Sequence, residues 1–457
     1  MLLLSPPHHA LQRSVEARSG HAGPTGVHGI SRWWTGNSRL RGHRTKSKVT
    51  CSQTANRTVV DAPTSDWKTR KAERREAAQK AGKPTGFKIK HKWLGGAIGK
   101  DGVMYAIPSH FDGVLRIDSR TGKMSTFGGP LKGKFKWLRG VLSDNEDGAI
   151  IGIPAWASSV LKIVPSTGEV TTIGSVDHVE RASEGREWMW HGGTLADNGA
   201  IYGIPSNAKF ALKIVPSTSE VTTIGSTPLE GQNKFYGGIK GNDGCIYGIP
   251  YTAEGVLKID PTTDKVVTIG RVPEGDWKWH GGVLAADGNI YGFPAHAEAV
   301  LKIAPATGEV TQIGGPFEGR YKWLGGAIGD DGNIYCMPSD ATSVLKICPA
   351  TGECVTIGQV SAMKNKWQGA VKGRDGAIYG IPTNADCVLK IVPGDPGEVT
   401  TFGHLPKAQN KWQGGFLGED GAIYCIPENA EAVLKILPET EEVELIPASQ
   451  IPHEPHW

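Results

Sequence analysis

Long apolar runs are missing from this 457-residue chain. The opening Met1-Leu2-Leu3-Leu4 stops at Ser5 and Pro6, far short of the roughly 20 residues a membrane helix needs, so a soluble protein without a membrane partner is expected. Charged residues make up only 21% of the chain and hydrophobic residues 39%, which disfavours a coiled coil, a long helical bundle and a charged disordered chain. The seven cysteines (Cys51, Cys245, Cys336, Cys348, Cys354, Cys387, Cys425) include no C-x-x-C pair, so zinc spacing is absent. Most replace Gly or Val in strand-like segments, as buried thiols of a reducing compartment do. Cys348 and Cys354 flank one hairpin, where either a redox-labile disulfide or two buried thiols would fit. There is no P-loop and no serine nucleophile elbow. Glycine (62) and proline (29) are abundant, and they point to short strands joined by turns.

The net charge of +4 divides unevenly. Residues 1–86 hold 16 Lys/Arg and 5 Asp/Glu, a net of +11, which leaves 34 and 41, a net of −7, for residues 87–457. A basic stripe for nucleic acid would have to lie on that acidic body, so no nucleic-acid partner is expected. Residues 1–51, with eight Lys/Arg and one acid, Glu16, have the composition of an organelle transit peptide. Lys48-Val49-Thr50-Cys51-Ser52 resembles the end of a plastid transit peptide, so a chloroplast (plastid stroma) address is expected, with the mitochondrion as the alternative. Residues 52–86 form a basic linker with a short helix predicted over 66–81, capped by Asp66 and stopped by Gly82 and Pro84.

From residue 92 one unit recurs eight times. Its opening aromatics are Trp93, Trp137, Trp190, Phe235, Trp279, Trp323, Trp367 and Trp412, at spacings of 44, 53, 45, 44, 44, 44 and 45 residues. Each copy holds four strand signals: Trp-x-Gly-Gly, Ile-Tyr-Gly-Ile-Pro, Val-Leu-Lys-Ile and Glu-Val-Thr-Thr-Ile-Gly. Asp-Gly turns such as Asp287-Gly288 join the first pair, and Thr-Gly turns such as Thr307-Gly308 join the last. This predicts an all-β fold, an eight-bladed β-propeller over residues 87–457 with four-stranded antiparallel blades, preceded by a disordered leader. Seven blades are the alternative, with Phe87-Lys88-Ile89-Lys90 closing the last blade from outside.

Asp287-Gly288-Asn289-Ile290-Tyr291, Lys302-Ile303 and Pro305-Ala306-Thr307-Gly308 resemble the repeats of NHL and virginiamycin-lyase-like propellers. The likeness spans residues 92–446. It implies the architecture, and it carries lyases, lactonases, lectins and scaffolds alike. Lys-Trp-x-Gly-Gly and the Pro that ends each second strand depart from those families.

Tight turns leave one rim plain, so the opposite rim is the candidate face. There Lys92, Lys136, Lys234, Lys278, Lys322, Lys366 and Lys411 precede the opening aromatic, with Met189 in the third unit. A Lys–aromatic ring could bind an anion, an acidic sugar or an acidic protein surface; equally, the aromatics could wedge between blades and the lysines pair with a neighbour. His280 and His296, with His191, would serve a His-assisted lyase of the virginiamycin type, although Leu, Tyr and Gln fill the slot of His191 and His280 in sister units. Residues two after the repeated Pro (His110, Trp156, Asn207, Thr252, His296, Asp340, Asn384, Asn429) vary within a fixed frame. The resulting expectation is a monomeric, non-enzymatic binding or scaffold propeller without metal or cofactor, engaging a partner protein, an anionic small molecule or a saccharide through this rim. A lyase or lactonase-like enzyme and a sugar-binding lectin are the alternatives.

Overall fold

A computed structural model of the chain describes residues 89–180 and 187–454. The leader, the linker with its helix at 66–81, and Phe87-Lys88 lie outside those residues. Each repeat forms one four-stranded antiparallel sheet, and there are eight sheets. In the fifth the strands are Trp279–Leu284, Ile290–Pro294, Val300–Ala304 and Glu309–Ile313. The first strands of successive sheets contact one another, and Trp412–Leu417 contacts Trp93–Ile98. The ring is therefore an eight-bladed propeller with the first strands lining its axis.

Local chemistry explains each hairpin. In the fifth unit Gly288 takes φ +80°, Asp287 Oδ1 accepts the Asn289 amide at 3.1 Å and Asp287 Oδ2 accepts the Tyr291 hydroxyl at 2.7 Å. One carboxylate thus closes the turn and ties it to the next strand. The second strands, such as Ile290–Pro294, are buried along their whole length between neighbouring blades, as strands packed on both faces must be. The outermost strands, such as Glu309–Ile313, alternate with solvent.

The seven-bladed alternative fails because all eight repeats build complete blades. Ile89 and Lys90 form a bend, not a strand. Closure comes from the other end of the chain: His453–Glu454 adds in parallel to the outer strand Lys123–Phe127 of the first blade, and Thr126 donates its amide to Pro452 O at 2.9 Å. Cys348 and Cys354 are free thiols, and both are partly exposed, so neither the disulfide nor the pair of buried thiols is adopted.

Candidate functional site at the channel mouth

The lysines and tryptophans of the repeat are turned inward. All seven lysines are at most 3% exposed. Lys366 Nζ donates to Ser339 O, Ala341 O and Met363 O at 2.8, 3.0 and 2.7 Å; the first two carbonyls belong to the preceding blade. Lys136 and Lys411 repeat the pattern. Lys234 and Lys322 each reach one carbonyl of the previous blade. Lys278 reaches Gly275 O and Lys92 reaches Ile89 O. Burial lowers most of these ammonium groups to about 8, still above neutral pH, so three N–H donors remain to meet the carbonyls. Trp93, Trp137, Trp190, Trp279, Trp323, Trp367 and Trp412 are buried, and each Nε1 donates to a backbone carbonyl of its own blade. Phe235 is buried in the equivalent place. The expected solvent-facing Lys–Trp ring is therefore an inter-blade joint, in which the ammonium groups donate to main-chain oxygens, several of them in the preceding blade.

The residues flanking each pair build the mouth instead. Immediately before the Lys (Met in the third unit) stand His91, Phe135, Trp188, Asn233, Trp277, Tyr321, Asn365 and Asn410, all at φ between 45° and 57°. Asparagine tolerates this left-handed region, but the other five, each at a cost of roughly 1–2 kcal/mol, mark a place where side-chain aim outweighs backbone comfort. Each meets the variable loop of the preceding blade. Aromatic residues meet aromatic ones: Phe135 with His110 at 4.3 Å between centroids, Trp188 with Trp156 at 6.3 Å, Trp277 with Tyr251 at 5.0 Å and Tyr321 with His296 at 4.4 Å. Elsewhere a side-chain oxygen accepts the main-chain N–H: Asn207 for Asn233, Asp340 for Asn365, Asn384 for Asn410 and Asn429 for His91.

Immediately after the aromatic come Leu94, Leu138, His191, Tyr236, His280, Leu324, Gln368 and Gln413, of which His191, Tyr236, His280, Leu324 and Gln368 line the mouth. Tyr236 lies between two imidazoles, with centroids 3.8 Å from His191 and 3.9 Å from His280. Burial pulls both histidines well below their ordinary value, and Arg139 adds repulsion, so both are neutral. Burial likewise raises the Tyr236 phenol.

Arg139 breaks the repeat. Each first strand has a bulge at its third residue, where Gly95, Gly192, Gly237, Gly281, Gly325, Gly369 and Gly414 take φ of 76° to 92°. In the second unit an arginine holds this position at φ 64°. Its guanidinium lies 5.9 Å from the Tyr236 ring centroid.

These elements enclose a cleft of about 690 Å³, lined among others by Trp188, His191, Tyr236, Tyr251, Trp277, His280, Tyr321, Asp340, Asn365 and Gln368. That volume suits a small organic ligand. Among the residues selected from sequence, His191, His280 and Asp340 line the cleft, and His296 stands in the aromatic arc beside Trp277 and Tyr321. Sequence reasoning missed the left-handed set and Arg139. The available signal was one bulky or basic residue at a position that sister repeats give to Asn or Gly. Among the described residues no group of three or more His, Cys, Asp or Glu is placed to hold a metal ion.

Residues 282–454 match a family described as a repeat of unknown function (DUF6923). No curated protein matches the chain by sequence. Among solved structures, a streptogramin B lyase aligns with TM-score 0.50 and 15% identity, covering 65% of this chain and 94% of that one. Virginiamycin B lyase from Staphylococcus aureus aligns with TM-score 0.47 and 15% identity, over 58% and 89% of the two chains. A putative 6-phosphogluconolactonase from Bacteroides uniformis aligns with TM-score 0.44 and 14% identity, over 66% and 92%. The resemblance to virginiamycin-lyase-like propellers therefore holds at the level of architecture.

Proposed function

We propose that this protein is a non-enzymatic binding propeller whose channel mouth takes a saccharide. The observation that carries this reading is the division of one cleft into two unlike walls. Tyr251, Trp277 and Tyr321 supply flat apolar faces, and Trp277 is 39% exposed. Asp340, Asn365, Gln368 and Lys364 supply donors and acceptors. A pyranose has the matching form, with a face of C–H bonds and an edge of hydroxyls. The buried lysines no longer support anion capture by a Lys ring. Titrating a panel of neutral and acidic oligosaccharides while following tryptophan fluorescence tests the proposal: binding is expected, with loss of about tenfold or more in a Trp277→Asn variant. Absence of binding across the panel, or binding indifferent to Trp277, would overturn it.

A propeller enzyme is the second reading, favoured by two neutral imidazoles around Tyr236, since a neutral imidazole can accept a proton. Mass spectrometry of the bound oligosaccharides after prolonged incubation separates the two. Cleavage that disappears in a His191→Gln/His280→Gln variant would establish the enzyme, and unchanged ligand supports the binding protein.

A further inference from the structure

Arg139 is placed at a cost that the ring itself does not need. Seven sister units give its position to glycine, the residue suited to φ near +64°. The side chain leaves the second blade and runs along the channel lining past two later blades. A Cβ built on Gly192 would stand 2.9 Å from Arg139 Cδ, and one built on Gly237 would stand 3.2 Å from Nη1. Those glycines leave the guanidinium its room. Its Nε and Nη2 are buried and have no hydrogen-bond partner, and no carboxylate among the described residues pairs with it. Arg139 as a whole is only partly buried, but each buried donor left unmet carries its own cost. Nε and Nη2 form one edge of the guanidinium, with two parallel N–H bonds that match the two oxygens of a carboxylate. His191 Nδ1 is also buried without a partner, and Tyr236, which Arg139 faces, lines the cleft.

We propose that the channel floor is a carboxylate-binding site in which Arg139 presents Nε and Nη2 to the two oxygens of an acidic saccharide held at the mouth. The inference rests on the saccharide reading for the ring-binding part of the ligand; the arginine fork is a separate observation. It places the selectivity for charge on one residue of the second blade. The seven repeated lysines then have no part in recognising the anion.

Methyl glucuronide and methyl glucoside differ in having a carboxylate or a hydroxymethyl group, so titrating both into the full-length protein isolates this site. The wild type should prefer the glucuronide by about tenfold or more, a preference of the size that charge-assisted hydrogen bonds supply. Arg139→Gly, which restores the residue of the other repeats, should erase the preference by bringing glucuronide affinity down to that of the glucoside. Arg139→Lys keeps the charge but loses the fork, and should retain only part. Equal affinity for the two sugars in the wild type, or a preference that survives Arg139→Gly, would overturn the carboxylate site while leaving the saccharide mouth standing. If neither sugar binds, the mouth reading fails and acetate decides the floor by itself. A rise in melting temperature with acetate in the wild type but not in Arg139→Gly supports the site; equal responses overturn it.

Discussion

In each blade four consecutive residues divide into two pairs with opposite habits. The inner pair is Lys followed by an aromatic in seven units, and its side chains disappear into the joint between blades. The outer pair differs from blade to blade, as in Trp277/His280 against Asn365/Gln368, and in the third to seventh units its side chains line the mouth. A ring of eight copies needs the same joint at every step, because an error in one repeats its misfit around the circle. A ligand touches only an arc of the ring, and that arc is free to differ. Repetition therefore marks the structural positions and departure from repetition marks the candidate site.

Substitutions at the two pairs should separate stability from binding. Trp367→Ala removes a fully buried indole and its bond to Cys387 O; a loss of about 3–5 kcal/mol in urea unfolding is expected. A loss below about 1 kcal/mol would show that the joint tolerates a cavity. Lys366→Met leaves Ala341 O and Met363 O without this donor, while Ser339 O keeps the Lys366 amide, and should cost about 2 kcal/mol, with glucoside binding unchanged. Reduced binding at full stability would instead return Lys366 to the ligand site.

The neutral imidazoles add a pH dependence of definite sign. His191 and His280 have folded values depressed below the unfolded one, so the unfolded state binds more protons as pH falls. Their contribution is fully present above the ordinary histidine range of about 6.5 and is lost on acidification below it. Urea midpoints should therefore drop between about pH 7 and pH 5, and the His191→Gln/His280→Gln variant should flatten that slope. A slope unchanged in the variant would place the titration elsewhere. The smallest stability effect is expected from Trp277→Asn, because asparagine tolerates the left-handed backbone that Trp277 occupies at φ 57°. Stability should stay within about 0.5 kcal/mol or rise while saccharide binding falls. A large destabilisation would make Trp277 a structural residue like Trp367.

Blade number and strand order were legible in the residues alone. Period, Asp-Gly turns and the apolar second strands are local features, and a meander of hairpins needs little more than local pairing. Lys366 was visible as a repeated cation, but its surroundings were not, since Ser339 and Ala341 lie in the preceding repeat. The same limit hid the site. Phe135 meets His110 and Tyr321 meets His296 only because adjacent blades bring the end of one repeat's second strand beside the start of the next repeat.

The sequence by itself determined a ring of eight like blades, because hairpin geometry and burial pattern are set within each copy of about 44 residues. Tertiary structure alone decided which faces of that ring are solvent and which are joint. A lysine reads as a surface charge until three carbonyls converge on it, and Arg139 reads as one odd residue in a repeat until closure of the ring sets it against Tyr236. Both outcomes depend on contacts between repeats, which no single repeat contains.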